Sequence, residues 1–286
     1  MTVKEYRDKG VEMLLPLYKK EEAKALLGMI LDTFCQIPPH SYYTAPDCSI
    51  PLDFLPCIQK ALDDLCRARP IQYILGKTTF EGCNIHVREG VLIPRPETAE
   101  LVRWAREVLE SPQIILDLCT GSGAIAIALA KAFPQAKVYG VDISEHALEV
   151  AYENSLLNKV EISFFKADLL HAPNTYDIPL LPHSFDLVIC NPPYICLSEK
   201  RYMHPKVLDY EPHLALFVPD DEPLLYYRAL ACWSTILLKE GGILMAEFNE
   251  QMGKEVEKLL ISNNFSSIEI RKDINGKPRM VAAVKG

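Results

Sequence analysis

The chain has 286 residues, 49% hydrophobic and 24% charged, enough for one large or two smaller globular domains with a core of useful size. No apolar run reaches the roughly 18 residues of a membrane span, and the charged opening MTVKEYRDKG lacks the apolar centre of a signal peptide, so a cytoplasmic protein is expected. A net charge of −8 and a pI near 5.5 count against a general binder of nucleic-acid backbones.

Residues 1 to about 70 read as helices. Leu26, Leu27, Ile30, Leu31 and Phe34 recur at helical spacing on one face, as do Ile58, Ala61, Leu62 and Leu65. The polar, proline-bearing IPPHSYYTAPDCSIP connects them, and a small N-terminal helical bundle is expected. At Pro70 the texture changes. In the stretch Thr78 to Thr98, Cys83, Ile85 and Val87 would share one face, Arg88-Glu89-Gly90 suits a turn, and a β-hairpin linker is the simplest account. Pro94 and Pro96 stiffen the exit into a helix from about Glu97 to Leu109.

From Ile114 strands and helices alternate. IILDL, KVYGVD, EISFFKAD and FDLVICN read as strands, GAIAIALAKAF as a helix, and SEHALEVAYENSLLN as a helix with Ser144 at its N-cap. The segment 171–183 reads as a loop, 222–238 as a helix, GGILMAEF as a strand and EQMGKEVEKLLIS as a helix. SSIEIRK and RMVAAVK flank the turn Asn275-Gly276 and can close as an antiparallel hairpin on one sheet edge. Such alternation predicts a doubly wound α/β sheet. Nine cysteines, odd in number and without a C-x-x-C pair, are expected to be mostly small buried hydrophobes, Cys66 and Cys232 among them, rather than disulfides or metal ligands.

ILDLCTGSGAIAI places Asp117 at a strand end and Gly121-Ser122-Gly123 at the mouth of a helix, where small residues let a ligand approach the backbone N–H groups. Plain strand-to-helix packing uses the same turn. Asp142 ends the next strand, 19 residues beyond Gly123, where an acidic group holds a ribose diol. A solvent-facing or capping aspartate is the alternative. The third glycine of a dinucleotide site is missing. Asp117 suits a cationic or amine-bearing ligand better than a pyrophosphate, which favours S-adenosylmethionine. Asp168 either accepts from an adenine amino group or caps a turn.

Asn191-Pro192-Pro193-Tyr194 closes the fourth strand of the alternating region, beside the glycine turn at the carboxyl edge of the sheet. Asn191 offers a side-chain oxygen, Pro192 a carbonyl, Pro193 no N–H to occupy it, and Tyr194 a flat face. Together they match a planar NH2 group. The competing account is a proline-stiffened turn with a buried tyrosine.

NPPY in this setting resembles the methyltransferases that modify planar nitrogens. VLIPRPET, DLCTGSGAIAIALA, NPPYI, YEPHLAL and DINGKPRMV together resemble the release factor glutamine methyltransferases over essentially the whole chain. The resemblance implies a Rossmann-like methyltransferase sheet with helices on both faces. It implies a helical substrate-docking domain at 1–74, a hairpin linker at 75–96 and a catalytic domain at 97–286. It implies that S-adenosylmethionine is held by Cys119, Thr120, Gly121, Ser122, Gly123, Asp142, Leu169 or its neighbour Asp168, and Asn191. Asn191, Pro192, Pro193 and Tyr194 would grip a glutamine of the Gly-Gly-Gln loop in peptide chain release factors, with Arg95, Glu97 and Thr98 lining or bracing the pocket. No metal and no membrane partner are expected, and no direct contact with nucleic acid. Without the resemblance, Arg95 and Glu97 read as a surface ion pair worth under about 1 kcal/mol.

Three stretches depart from the family pattern. Cys119 replaces the first glycine of the turn, which is tolerable if its φ is negative. FVPDDEP replaces a glycine-rich stretch after YEPHLAL, and EFNEQ replaces E-x-G while keeping Glu247. An adenine-amino methyltransferase of DNA or RNA shares NPPY and the turn, and a non-catalytic scaffold that binds release factors or ribosomes could keep the fold. A nicotinamide dehydrogenase lacks the third glycine and a placed acid–base pair.

Overall fold

The computed structural model describes residues 1–173 and 181–286. The chain forms two compact units, Met1–Gly76 with His204–Tyr210, and Lys77–Met203 with Glu211–Gly286. The first holds helices α1 (Val3–Leu14), α2 (Lys20–Cys35), the short α3 (Ser41–Thr44), α4 (Leu55–Cys66) and α5 (Ile71–Leu75). A reciprocal capping box opens α1, Thr2 Oγ1 accepting from Glu5 N at 3.1 Å and Glu5 Oε2 accepting from Thr2 N at 2.8 Å. Leu27, Ile30 and Leu31 are buried with Ile58, Leu62 and Leu65 in one core, while Leu26 and Phe34 pack half-buried against it. In the same unit the Tyr210 hydroxyl donates to the Arg67 carbonyl at 2.9 Å.

The second unit starts with the hairpin β1 (Lys77–Phe80) and β2 (Cys83–His86). Its two-residue turn is Glu81-Gly82, both at positive φ; the expected turn at Arg88–Gly90 exists but lies beyond the hairpin, closed by Val91 N donating to Arg88 O. Cys83, Ile85 and Val87 are buried on one face as their alternation requires.

Then follow α6 (Pro96–Val108), β3 (Ile114–Leu118), α7 (Ala124–Ala132), β4 (Lys137–Asp142), α8 (Glu145–Asn158), β5 (Ile162–Lys166) and β6 (Phe185–Cys190). Ser144 caps α8, its hydroxyl accepting from Ala147 N at 3.2 Å. Residues 174–180 of the expected 171–183 loop lie outside the described residues. After β6 come β7 (Ile195–Cys196), α9 (Pro205–Leu208, counted with the first unit), β8 (Phe217–Val218), α10 (Leu225–Leu237), β9 (Leu238–Glu247), α11 (Gly253–Ser262), β10 (Phe265–Lys272) and β11 (Pro278–Lys285).

Seven strands form one sheet in the order β10-β11-β9-β6-β3-β4-β5. The five from β9 to β5 are parallel; β11 runs antiparallel to both β9 and β10, so the closing hairpin extends one edge as expected. All six residues of β6 are buried, which requires cover on both faces. Helices α10 and α11 supply one cover, through Tyr227, Leu230, Trp233, Val256 and Leu260 packed on Leu116, Val188 and Leu244. Helices α6, α7 and α8 contact one another and the sheet as the other layer.

Helix α8 also finishes the hairpin. Asn154 Oδ1 accepts from His86 N at 2.7 Å and its Nδ2 donates to His86 O at 3.0 Å. Asn158 does the same for Asn84, at 3.2 and 2.6 Å. Four residues of helix rise about 6 Å and two residues of strand about 6.6 Å, so two asparagines one turn apart meet alternate strand residues. They act as a rung-by-rung substitute for a neighbouring strand. Asn154 Nδ2 also donates to Ser122 O at 2.9 Å, joining hairpin, helix and glycine turn.

The cysteine expectation needs correction. All nine are free, but only Cys83 and Cys190 are buried; Cys48 and Cys232 are exposed, the latter because it points off the sheet-facing side of α10, where Ala231 and Trp233 turn inward.

Candidate active site

Strand order reverses between β3 and β6, since β3 continues to β4 on one side while β6 adjoins on the other. The carboxyl ends of such neighbours leave a crevice. Here it is a cavity of about 320 Å³, lined by Cys119, Thr120, Gly121 and Ser122 from the turn after β3, by Asp142 to Ser144 after β4, by Asp168 and Leu169 after β5, and by Asn191 and Pro193 after β6. Gly123, Asp117, Pro192, Tyr194 and Glu97 are not on its wall.

The turn after β3 is built from left-handed backbone. Cys119, Gly121 and Gly123 have φ of 58°, 55° and 78°. The negative φ on which a cysteine at 119 would be easy is therefore absent, and the residue sits in a conformation that costs a side-chain-bearing residue about 1–2 kcal/mol. A Cβ built on Gly123 would lie 3.0 Å from Ala151 Cβ, so the hydrogen there lets α7 pack against α8. A Cβ on Gly121 would meet nothing nearer than Cys119 O at 4.0 Å; the bare backbone leaves open space at the turn.

Asp117 lies beneath this turn rather than in the cavity, fully buried. Its Oδ2 accepts from Thr120 Oγ1 at 2.6 Å and Ala126 N at 3.2 Å, so it braces the turn and the first turn of α7. Burial pushes its pKa up to about 7, the Thr120 and Ala126 bonds opposing. Contact with a cofactor amine, expected from sequence, is not the role its position gives it.

Asp142 lines the cavity with Oδ2 accepting from Gly121 N at 2.8 Å and Oδ1 from Ser144 N at 2.9 Å. Each oxygen keeps a second lone pair, and burial raises its pKa while the backbone bonds hold it down. Asp168 caps a turn, its Oδ1 accepting from Leu170 N at 2.9 Å, and it also lines the cavity. Charged groups on the wall are these two carboxylates and Arg95, with apolar Leu118, Ile125, Val141 and Ala147 around them. A wall with two acids and one cation suits S-adenosylmethionine, which carries a sulfonium and no phosphate, and the open backbone at Gly121 gives it room.

Asn191 is half-buried, faces the cavity, and its Nδ2 donates to Thr98 Oγ1 at 3.1 Å. The amide nitrogen is thus turned toward α6, leaving Oδ1 as the free acceptor. Tyr194 packs against the core with the Arg279 guanidinium 5.8 Å from its ring centroid. Its carbonyl accepts from Asn249 Nδ2 at 3.3 Å, and Asn249 Nδ2 also donates to Glu199 Oε1 at 3.0 Å. The departure EFNEQ therefore supplies a brace for the NPPY turn. Glu247 is 1% exposed; burial raises its pKa to about 7, against the lowering effects of the Thr98 hydroxyl, Arg279 and the Tyr194 hydroxyl. Its Oε1 has no hydrogen-bond partner among the described residues.

Arg95 does not pair with Glu97. Its NH2 bonds Glu211 Oε1 at 2.7 Å, and Glu211, 5% exposed, also accepts from Ile93 N at 3.3 Å. Glu97 instead accepts from Asn275 Nδ2 at 3.4 Å. Arg95 precedes α6 and turns inward, whereas Glu97 sits in the first helical turn facing the closing hairpin; adjacency in sequence misassigned the pair. Cavity residues that sequence reasoning missed include Phe80, Ile143, Leu214 and Tyr226. YEPHLAL signalled Leu214 without a role. The exit of NPPY is fixed by the parallel pair β7–β8, with Ile195 N donating to Leu216 O at 2.9 Å; FVPDDEP supplies β8 and Asp220, whose Oδ1 accepts from Ser198 N at 2.9 Å.

Among the described residues no helix is long and apolar enough to cross a membrane. A methyltransferase from Pyrococcus furiosus shares the fold at a TM-score of 0.52 with 17% identity, over 72% of this chain and 90% of that one. Residues 109–275 match the methyltransferase domain family. A release factor glutamine methyltransferase of Flavobacterium psychrophilum is 40% identical over 98% of both chains. Its counterpart in Bacteroides thetaiotaomicron is 38% identical over 95% of this chain and 96% of its own. Likeness that runs end to end, across helical unit and sheet alike, shows that the chain is an S-adenosylmethionine-dependent methyltransferase of class I and belongs to the release factor glutamine methyltransferase family.

Proposed function

We propose that the chain methylates the side-chain amide nitrogen of the glutamine in the Gly-Gly-Gln loop of peptide chain release factors, the helical region 1–74 docking the substrate protein. The observation that carries this reading is the Asn191–Thr98 bond, which turns the Asn191 amide nitrogen toward α6 and leaves its oxygen to accept from a planar NH2. The similarity to release factor glutamine methyltransferases supports the choice of acceptor.

S-adenosylmethionine, when bound, supplies an electrophilic sulfonium methyl. Asp142 would hold the ribose diol, Asp168 and Leu169 the adenine side, and the Cys119–Gly123 turn the remainder. Asn191 Oδ1 and the Pro192 carbonyl accept the two amide hydrogens of the glutamine, which fixes its nitrogen and enriches its electron density. Pro193 lines the groove, and Tyr194, held by Asn249 through its carbonyl, stiffens the turn from behind. The N-methylated amide cation is strongly acidic, so water can take the surplus proton and no dedicated base is needed.

Mass spectrometry of a release factor incubated with the protein and cofactor tests the reading. A 14 Da gain on the loop glutamine is expected, absent when that glutamine is replaced. Asn191→Ala should abolish the gain while cofactor affinity changes by no more than a few-fold. Methyl transfer to DNA or RNA adenine instead, or near-normal turnover in Asn191→Ala, would overturn it.

A further inference from the structure

The turn after β3 carries a thiol where a glycine would sit without strain, and a second thiol ends the neighbouring strand. Cys119 follows β3 and Cys190 closes β6, and these strands pair in parallel with Leu118 opposite Cys190. Leu116, Leu118, Val188 and Cys190 all belong to the core under α10. Strict alternation would send Cys119 to the opposite face with Asp117. Its φ of 58° breaks the alternation, and Cys119 packs instead against the same core cluster that contains Cys190. Neighbouring strands lie about 4.8 Å apart and one strand residue rises about 3.3 Å, so the two Cα atoms, offset by one residue, come about 5.8 Å apart, inside the roughly 4.4–6.8 Å that a disulfide spans. The strained backbone thus puts a second sulfur on the side where Cys190 lies. Both thiols are free, but their access differs: Cys119 is half-buried on the cavity wall, whereas Cys190 is 0% exposed and off the wall.

We propose that Cys119 and Cys190 are a peroxide-sensitive thiol pair, and that their disulfide closes the cavity to the cofactor. The oxidant is a hydroperoxide small enough to enter the cavity. The Cys119 thiolate attacks the peroxide; an S–O bond forms, the O–O bond breaks, and the departing hydroxide leaves as water with the proton that Cys119 gave up. The Cys190 sulfur then attacks the resulting sulfenic acid. An S–S bond forms, the S–O bond breaks, and hydroxide leaves as a second water with the Cys190 proton. Two thiols are oxidised and one peroxide is reduced. Burial raises the Cys190 pKa well above its ordinary value, so oxidation starts at Cys119. Cys190 immediately precedes Asn191, and Cys119 opens the turn whose Gly121 N is held by Asp142. A covalent link therefore ties the cofactor turn to the end of β6 in a geometry that neither holds when reduced. The inference rests on the cavity being the cofactor site, and not on the choice of methyl acceptor.

Hydrogen peroxide, peptide mapping and calorimetric titration with S-adenosylhomocysteine test this. In the treated wild type the peptides holding Cys119 and Cys190 should be found joined, about 2 Da lighter than their sum. Affinity for S-adenosylhomocysteine should fall about 10-fold or more, and dithiothreitol should restore it. S-adenosylhomocysteine added before the peroxide covers Cys119 and should slow the joining. Cys119→Gly suits the positive φ at that position and should keep its own untreated affinity through the same treatment. Cys190→Ala should yield no joined peptide. Treated wild type without that peptide, a joined protein that binds as before, or a Cys119→Gly protein as sensitive as wild type would each overturn the inference. If the wild type leaves release factor unmodified, the proposed function fails, while mapping and titration still decide the role of the thiol pair.

Discussion

A carboxyl group forced to ionise inside a core should make the fold pH-sensitive, and Glu247 allows the size to be worked out. Its folded pKa is about 7 against an ordinary 4.5, burial being the main cause. Well below pH 4.5 the group is protonated in both states and contributes nothing. Between 4.5 and 7 the unfolded chain ionises while the folded chain keeps its proton, so stability falls as pH rises, and the loss is complete above 7. With 1.36 kcal/mol per pKa unit and the linkage relation, the penalty is about 0.8 kcal/mol at pH 5.0 and about 3.4 kcal/mol at pH 8.5. Glu247→Gln removes the titration at nearly unchanged side-chain volume. Urea denaturation of wild type and variant at the two pH values should therefore show the variant gaining about 2.5 kcal/mol relative to wild type on going from pH 5.0 to 8.5. Asp117, also raised to about 7, is common to both proteins and cancels. A stability difference that is the same at both pH values would refute the reasoning.

Three further outcomes follow from the geometry. Cys119→Gly should relieve the positive φ and leave stability unchanged or raised by up to about 1 kcal/mol, whereas Gly123→Ala, blocked by Ala151, should lose about 2 kcal/mol; chemical denaturation reads both. Arg95→Met leaves Glu211 buried without its cation and should cost about 3 kcal/mol, and a calorimetric Tm within 1 °C of wild type would contradict that. Asn154→Ala should cost about 2–4 kcal/mol by stranding His86 N, His86 O and Ser122 O. It should raise amide exchange at His86 and weaken cofactor binding, because Phe80 on the same hairpin lines the cavity.

The centre of the sheet was readable in the sequence because a strand such as β6 is buried on both faces and shows as an apolar run, LVIC, followed by a polar residue at the carboxyl edge. That rule also placed Asp142, Asp168 and Asn191 on one cavity, since all three close parallel strands whose ends converge. Other features depend on backbone angles or distant partners and leave no local trace. Nothing in LDLCTGSG discloses that Cys119 has a positive φ. Arg95 meets an acid 116 residues away rather than its neighbour at 97. Glu247 reads as the polar end of a strand, and only the packing of α6 and the NPPY turn around it turns that end into a buried acid.

The asparagine rungs on β2 bear on the chain's tendency to self-associate while it folds. An uncovered strand edge invites a second copy to add its own strand. Here the outward N–H and C=O groups of Asn84 and His86 are already occupied by Asn154 and Asn158, whose side chains, unlike a foreign backbone, belong to a helix and cannot propagate the ladder. Two side-chain amides thus terminate a growing sheet, and their loss would leave an adhesive seam open to self-association.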